Sequence, residues 1–213
     1  MSLRDLERQF GRRLARVATN AVVARPGLWR AFRGPIRKQF DRLASSWDSI
    51  RSPDALAPLE RALETIPSSP RRVLDLGTGT GAAALAIARR FPEAEVVGVD
   101  VSGRMLDEAR RKMPPELAGR VRFEQADAER LPYPGETFDL VSLANMIPFF
   151  DELARVTAPG GWVAFTFSAG PETPIWVPPE RLRSELVRRG FADFAEFQQG
   201  SGTAVLVRKG GRS

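Results

Sequence analysis

Short apolar runs alternate with longer amphipathic stretches over the last two-thirds of the chain. The runs predict buried strands, and the stretches between them predict helices. In chain order the pattern predicts strand 73–76, helix 81–90, strand 95–100, helix 103–113, strands 121–125, 138–143 and 162–168, helix 179–189, and strands 191–198 and 203–207. Strands alternating with helices form a parallel sheet covered on both faces. Because the Gly200-Ser201-Gly202 link suits a hairpin, an antiparallel last strand completes a seven-stranded, mostly parallel α/β fold.

The first third of the chain shows apolar residues at three- and four-residue steps, which predict a basic amphipathic helix. Its apolar stripe consists of Leu3, Leu6, Phe10, Leu14, Val17 and Ala21. Its basic side consists of Arg4, Arg8, Arg12 and Arg16. Pro26-Gly27 and Gly34-Pro35 predict interruptions before a second apolar face begins. We therefore divide the chain into a basic helical extension or cap, residues 1–66, and a main domain, residues 71–209.

A glycine-rich turn joins the first predicted strand to the first helix of the main domain. Gly77, Gly79 and Gly81 alternate in this turn, and Asp75 lies just before it. Glycine permits positive φ and has no Cβ, so a ligand can lie directly against the backbone. The helix start adds unpaired N–H groups and the positive end of the helix dipole. The turn therefore predicts a site for an anionic, or partly anionic, ligand.

Acidic residues also end the next two predicted strands. Asp100 follows Gly77 by 23 residues and ends the second strand, where a carboxylate can accept hydrogen bonds from both hydroxyls of a ribose. An alternative is that Asp100 is the N-cap of the following helix. Asp127 follows the third strand. Together with Asp75, these residues predict a polar rim along one edge of the sheet.

These motifs resemble those of the class I S-adenosylmethionine-dependent methyltransferases, which have a Rossmann-like sheet with helices on both faces. Asp75 and the three glycines match the first motif of that family, Asp100 its ribose acid, and Asp127-Ala128 its adenine-contacting pair. The stretches 138–145 and 153–163 match its fourth strand and its later helix, turn and fifth strand. The resemblance spans roughly residues 40–209, with five motifs in the family's order.

The resemblance implies that S-adenosyl-L-methionine is the cofactor. The glycine turn would receive the methionine carboxylate, and Asp75 would lie near the ammonium group. Val101 and Met105 would flank the adenine, although Met105 could instead be a core residue. Asn145, at the end of the fourth strand, would face the cofactor. The full set of implied cofactor-binding residues is Asp75, Gly77, Thr78, Gly79, Gly81, Asp100, Val101, Met105, Asp127, Ala128 and Asn145.

Residues 40–48 resemble the Phe-x-x-x-Ala-x-x-Tyr-Asp entry helix of the ubiquinone/menaquinone-biosynthesis methyltransferases, which covers the cofactor. Aromatic and apolar residues predict a pocket for a small hydrophobic acceptor, although each could simply pack the core. The pocket residues are Phe40, Trp47, Met146 and Phe149. The stretch 168–178 shows no helical pattern for a lid, so the substrate cover should come mainly from residues 1–60.

The chain contains neither cysteine nor histidine. A disulfide framework, a cysteine nucleophile and the commonest metal ligands are therefore excluded, and no metal site is predicted. Methyl transfer from a sulfonium needs mainly alignment and exclusion of water, so the lack of histidine does not exclude it. A neutral acceptor would still lose a proton, for which Asp48 and Tyr133 are the candidate bases. Because no signal peptide or membrane-spanning run is found, we expect a cytoplasmic protein.

Positive charge is concentrated at the start of the chain. Residues 1–42 contain eleven Arg or Lys and three acids, a net charge of +8, whereas the whole chain carries +6. This stretch could cap the main domain, contact a membrane peripherally or, least favoured, bind nucleic acid.

Two alternative functions remain open. An NAD-dependent oxidoreductase would share the turn and the ribose acid, but the spacing here is Gly-x-Gly-x-Gly rather than Gly-x-Gly-x-x-Gly. The other alternative is a non-catalytic cofactor-binding protein that its basic helix recruits to membranes. The partner expected for the favoured function is a small-molecule acceptor, and the sequence does not decide the oligomeric state.

Overall fold

A computed structural model describes residues 3–211, and the side chains of residues 11–211. The strands are β1 (Arg72–Leu76), β2 (Glu95–Asp100), β3 (Val121–Gln125), β4 (Phe138–Ala144), β5 (Thr157–Phe167), β6 (Phe191–Gln199) and β7 (Gly202–Lys209). The α-helices are α1 (Leu3–Ala24), α2 (Trp29–Leu43), α3 (Trp47–Ile50), α4 (Ala57–Glu64), α5 (Ala82–Arg90), α6 (Gly103–Arg111), α7 (Phe150–Val156) and α8 (Pro179–Val187). The side chains predicted at Leu3, Leu6 and Phe10 lie outside the described residues.

The strands form one seven-stranded sheet in the order β3-β2-β1-β4-β5-β7-β6. The pairs among β1 to β5 are parallel, and β7 is antiparallel to both of its neighbours. The predicted fold class and the antiparallel last strand are therefore confirmed. Because β1 lies between β2 and β4, the strand order reverses beside β1, which is where open α/β sheets bind ligands at their carboxyl ends.

Apolar side chains cover both faces of the sheet. On one face, Leu59 of α4, Ile87 of α5 and Leu106 of α6 are fully buried in a common cluster. On the other face, the cluster contains Leu153 of α7 and Leu182 of α8. That second cluster also includes side chains of α1 and α2, so the N-terminal helices contribute to the core of the main domain.

Helix α1 packs through a face rotated from the predicted apolar stripe. Ala18 and Val22 are fully buried, whereas Val17, which was expected in the stripe, is 59% exposed. At 3.6 residues per turn, residue 18 lies closer than residue 17 to the line through residues 14 and 22. On another side of the helix, Arg12 and Arg16 donate hydrogen bonds of 2.8 and 3.0 Å to the carbonyls of residues 172 and 171.

Helix α2 continues through Gly34-Pro35, where the sequence predicts an interruption. A proline inside a helix removes one hydrogen bond to the carbonyl four residues earlier, here that of Ala31. Both Ala31 and Pro35 are exposed, so water can satisfy that carbonyl. Burial of apolar side chains from the same helix offsets the remaining loss. The prediction of a break at this position is therefore wrong.

Strand β5 begins five residues before the predicted start at Trp162. Phe138 pairs with Thr157, but the next pair joins Leu140 to Trp162. The strand therefore carries an irregularity at the predicted Pro-Gly-Gly turn, and Gly160 has a φ of +75°. Glycine allows this bulge without interrupting the pairing on either side.

Candidate functional site

The glycine turn between β1 and α5 has the predicted backbone conformation. Gly77, Gly79 and Gly81 have φ values of +68°, +55° and +85°, all in the left-handed region. The turn is attached to β2, because the N–H groups of Gly77 and Thr78 donate to the Val99 carbonyl at 2.8 and 3.0 Å. Helix α5 therefore starts directly behind the turn, with its positive dipole end at the carboxyl edge of the sheet.

Asp75, at the end of β1, is completely buried beneath this turn. The Thr78 hydroxyl donates to Asp75 Oδ2 at 2.7 Å. Ser142 of β4 faces Asp75. Among the described residues, neither Asp75 Oδ1 nor Ser142 Oγ has a hydrogen-bond partner at the usual distance and angle. Burial raises the pKa of Asp75 to about 6, although the Thr78 and Ser142 hydroxyls act to lower it. A buried carboxylate oxygen is therefore available to a donor.

Asp100 is held by backbone donors from both sides. Its Oδ2 accepts from the Gly79 N–H, and its Oδ1 from the Ser102 N–H, each at 2.9 Å. Burial raises the pKa of Asp100, against the effect of these backbone hydrogen bonds. The N-cap of α6 is Ser102, whose hydroxyl accepts from the Met105 N–H at 3.1 Å. The alternative that Asp100 is this N-cap is therefore wrong.

Asp127, two residues beyond β3, lies at the same edge of the sheet. Trp29 Nε1 donates to its Oδ1 at 2.7 Å, and Arg33 donates to its Oδ2 at 2.8 Å. The Glu129 N–H also donates to Oδ1, at 3.1 Å. Asp75, Asp100 and Asp127 therefore lie at one edge of the sheet, at the carboxyl ends of β1, β2 and β3. This is the arrangement predicted for the polar rim.

The remaining predicted cofactor contacts are mostly buried. Met105 and Ala128 are 1% and 3% exposed, and Val101 is partly buried against the core cluster that contains Ala128. Asn145 directly follows β4 with a φ of +54°, and its side chain pairs with Ser168. Asn145 Nδ2 donates to Ser168 Oγ at 3.0 Å, while Asn145 Oδ1 accepts from the Ser168 N–H at 2.9 Å. The Asn145 amide thus joins the ends of β4 and β5.

The four predicted pocket residues make one aromatic pair among themselves, one aromatic pair with Trp29, and a thioether contact. Phe40 and Trp47 pack edge to face with ring centroids 5.3 Å apart, and Trp29 packs likewise on Phe149 at 5.5 Å. The Met146 side chain covers Gly77, where an added Cβ would lie 2.7 Å from its sulfur. These apolar groups surround the carboxyl edge where the acidic rim lies.

Neither candidate base has the properties of a strong proton acceptor. Burial acts to raise the pKa of Asp48, but hydrogen bonds from Lys112 and Thr80 outweigh it and hold the pKa below its ordinary value. Burial and the hydrogen bond that the Tyr133 hydroxyl donates to Glu124, at 2.6 Å, raise the pKa of Tyr133 well above its ordinary value. Tyr133 therefore keeps its proton near neutral pH.

The N-terminal segment, defined as residues 11–50, contacts all three turns of the rim. Asp48 Oδ1 accepts from the Thr80 hydroxyl in the glycine turn, and Asp41 Oδ1 accepts from the Ser102 hydroxyl after β2, both at 2.6 Å. The contacts of Trp29 and Arg33 reach the third turn.

Sequence reasoning missed Trp29 and Arg33. A signal was present, because Trp29, Phe32 and Ile36 keep helical spacing across Gly34-Pro35. The break predicted at Gly34-Pro35 separates Trp29 from the second apolar face, so the sequence pattern alone gives Trp29 no role at the site.

Comparison with known proteins supports the resemblance to methyltransferases that the motifs show. The family described as a methyltransferase domain matches residues 73–161. A demethylmenaquinone methyltransferase from Roseiflexus castenholzii is 32% identical over 177 residues, covering 74% of this chain and 72% of that protein. A malonyl-[acyl-carrier protein] O-methyltransferase from Halorhodospira halophila is 40% identical over 147 residues, covering 65% and 49%. The chain spans about half the length of this and several other curated relatives that it matches.

Solved structures share the fold. A SAM-dependent methyltransferase from Aquifex aeolicus superposes with a TM-score of 0.64 at 20% identity, covering 78% of this chain and 97% of that one. Phosphoethanolamine N-methyltransferase 2 from Haemonchus contortus, in complex with S-adenosyl-L-methionine, gives a TM-score of 0.59 at 20% identity, covering 74% and 52%. The Rossmann-like fold predicted from the motifs is therefore confirmed.

Proposed function

Because the chain belongs to the S-adenosylmethionine-dependent methyltransferases, we propose that it transfers a methyl group from S-adenosylmethionine to a small, apolar acceptor. One observation supports this most directly. Asp75, Asp100 and Asp127 lie at the carboxyl ends of three adjacent strands, the first of which leads into a glycine turn in which all three glycines have positive φ. A binding site of this form suits a nucleoside that carries both an ammonium and a carboxylate group.

The residues present fit this cofactor. An added Cβ at Gly79 would lie 3.8 Å from Trp47 Nε1 and 4.0 Å from the Gly77 carbonyl oxygen, both ordinary contact distances, so the turn backbone is uncrowded here and Trp47 of the N-terminal segment lies over it. The methionine carboxylate would lie against the turn and the start of α5, and the ammonium group near the unpartnered Asp75 Oδ1. Asp100 would accept from the ribose hydroxyls, and Asp127 from the adenine amino group. When bound, the cofactor supplies a methyl group activated by its sulfonium.

The protein's own contribution is to orient the acceptor and exclude water. Correct alignment of two reactants can lower a barrier by roughly 7–11 kcal/mol. The N-terminal segment covers the three turns through Asp41, Asp48 and Trp29. The apolar pair Phe40–Trp47 would line the acceptor side. We assign no catalytic base, since Asp48 is paired with Lys112 and Tyr133 holds its proton.

The function is tested by incubating the whole protein with S-adenosylmethionine labelled in its methyl group. A demethylated isoprenoid quinone, reduced to its nucleophilic hydroquinone with dithionite, and a malonyl thioester serve as separate acceptors, because the names of two relatives include these two classes. We expect label in the apolar quinone class, identified by mass spectrometry. Tight binding of NAD without binding of S-adenosylmethionine would contradict the proposal, and label in the thioester alone would contradict the apolar acceptor.

Replacing Asp100 with alanine should weaken cofactor binding. Each ribose hydrogen bond to a charged acceptor contributes about 1.5–3 kcal/mol, so the dissociation constant should rise at least about ten-fold. Calorimetric titration with S-adenosylhomocysteine measures this change. Asp107→Ala is the matched control, because Asp107 lies exposed on α6, with 74% of its side chain accessible. An unchanged affinity for Asp100→Ala would show that Asp100 only fixes the turn.

We also propose that residues 1–42 bring the protein to an anionic membrane surface. None of the described helices is long and apolar enough to cross a bilayer. Exposed cations follow one another along the start of the chain: Arg13, Arg25, Arg30, Arg37, Lys38 and Arg42. Leu28, at the turn between α1 and α2, is 42% exposed. A basic surface with an exposed apolar tip suits peripheral contact with anionic lipid.

Removing two of these cations should weaken vesicle binding. Each Arg near an anionic surface contributes about 1 kcal/mol, so Arg30→Gln with Arg37→Gln should reduce binding to phosphatidylglycerol vesicles about ten-fold or more. Co-sedimentation measures the bound fraction. The control is Arg89→Gln with Arg90→Gln, which removes the same charge from the exposed end of α5. Equal binding of the wild type to anionic and neutral vesicles would overturn this proposal without affecting the proposed methyl transfer.

A further inference from the structure

Two side chains of α2 bind the Asp127 carboxylate from above the sheet. Trp29 Nε1 donates to Oδ1 at 2.7 Å, and an Arg33 guanidinium nitrogen donates to Oδ2 at 2.8 Å. Trp29 is 2% exposed, whereas half of the Arg33 side chain is accessible to solvent. A buried indole N–H requires an acceptor, and Asp127, 98 residues along the chain, supplies it.

The two carboxylate oxygens are unequally occupied. Oδ1 accepts from both Trp29 and the Glu129 N–H, while Oδ2 accepts from Arg33. An ionised carboxylate offers about four lone-pair sites, two on each oxygen. One site on Oδ2 therefore stays available, and 21% of the Asp127 side chain is accessible to solvent. A ligand can use this site while the contacts of α2 remain in place.

The Trp29 ring has little freedom to move. It packs edge to face on Phe149 with centroids 5.5 Å apart, and it shares a buried cluster with Val22 of α1. Because the indole is fixed by packing, the direction of its N–H is fixed as well. The Asp127 carboxylate is therefore held in one orientation by a rigid donor on one oxygen and a cationic donor on the other.

We propose that Trp29 and Arg33 are positioning residues for adenine recognition, which act by orienting Asp127 so that Oδ2 accepts from the exocyclic amino group. This inference rests on the proposed function. Hypoxanthine has a carbonyl oxygen where adenine has the amino group, so it would face the fixed carboxylate with an acceptor. Selectivity for the adenine base thus depends on a helix that precedes the main domain, and binding of the cofactor stabilises the contact of α2 with the sheet.

The test compares S-adenosylhomocysteine with S-inosylhomocysteine in calorimetric titrations of the whole protein. Trp29→Phe keeps an aromatic ring on Phe149 but removes the N–H donor. We expect affinity for the adenosyl compound to fall about three- to ten-fold, with little change for the inosyl compound, so that selectivity falls by the same factor. Arg33→Gln, at an exposed position that tolerates substitution, should lower selectivity about two-fold.

Trp176→Phe is the matched control, because Trp176 also packs edge to face on a phenylalanine, with centroids 4.9 Å apart. Its selectivity should equal that of the wild type. An equal loss of affinity for both compounds in Trp29→Phe would overturn the inference and leave Trp29 a packing residue. Tighter binding of the adenosyl compound would overturn it too, showing that Trp29 blocks the adenine position. If the wild type binds neither compound, the proposed function fails, and this inference fails with it.

Discussion

Replacing Gly79 with alanine is expected to reduce S-adenosylmethionine affinity by at least about a hundred-fold while leaving the protein folded. The φ of +55° makes an alanine here strained by roughly 1–2 kcal/mol, which a domain of ordinary stability tolerates. The new Cβ would lie 3.8 Å from Trp47 Nε1 and 4.0 Å from the Gly77 carbonyl oxygen, ordinary contact distances that cause no clash. It would occupy space beside the turn backbone, against which the methionine carboxylate is proposed to lie. Calorimetric titration measures the affinity, and thermal unfolding checks the fold.

Gly81→Ala is the matched comparison, because it makes the same chemical change two residues away. Gly81 has a φ of +85°, and an added Cβ would lie 2.7 Å from the Phe123 ring and 3.0 Å from Ala109. Strain and overpacking together should lower the free energy of unfolding by about 2–5 kcal/mol. Gly79→Ala should therefore lose binding, and Gly81→Ala should lose stability. Normal binding by a folded Gly79→Ala would mean that the turn does not contact the cofactor.

The contrast between these two glycines shows what the sequence can and cannot predict. Strand ends, alternate glycines and an acid after each strand are local patterns, so they predicted the turn, the sheet and the acidic rim. The requirement for positive φ at both positions also follows from the pattern. Which glycine faces a ligand and which faces Phe123 depends on packing between elements. That information is absent from the spacing of residues along the chain.

For the same reason, contacts between residues far apart in the sequence could not be predicted. Trp29 and Asp127 are separated by 98 positions, and nothing in their local sequences pairs them. Asn145 was predicted to face the cofactor because it lies at the end of β4. The structure shows its amide paired with Ser168, which is 23 positions away. Each of these contacts requires knowing which segment covers which strand end.

The prediction of a break at Gly34-Pro35 is wrong for a different reason. Local propensity disfavours a helix there by about 3 kcal/mol for the proline alone. Tertiary burial of Trp29 and the other apolar residues of α2 outweighs that local preference. The same burial places Trp29 over the site. Because a break was predicted within α2, Trp29 was not predicted to lie at the site.

Asp75→Asn is expected to stabilise the cofactor-free protein at pH 8 and to weaken cofactor binding. Burial raises the pKa of Asp75 to about 6, well above its ordinary value of 3.8. The unfolded chain therefore ionises first as pH rises, and the stability associated with protonated Asp75 is lost between about pH 4 and pH 6. Above that window, the buried charge lowers the free energy of unfolding by about 2–3 kcal/mol. Asparagine resembles the protonated acid and avoids this loss.

Local geometry favours asparagine at this position in the absence of cofactor. Its carbonyl oxygen can accept from the Thr78 hydroxyl, and its amide can donate to Ser142 Oγ, which faces it across the β1–β4 pair. Urea unfolding at pH 4.5 and pH 8 should show a gain for Asp75→Asn of about 2–3 kcal/mol at pH 8 and a much smaller gain at pH 4.5. Asp107→Asn, the control at an exposed position, should not raise the free energy of unfolding at either pH.

Cofactor affinity should move in the opposite direction from stability, because asparagine supplies no negative charge beside the ammonium group. The free-energy penalty of keeping Asp75 charged and buried in the empty protein would then be relieved on binding, as the ammonium group meets Oδ1. The gain in stability and the loss of affinity should appear together in one variant. If Asp75→Asn destabilises the protein equally at both pH values, the carboxylate is a structural acceptor for the turn, and its assignment to the ammonium group is wrong.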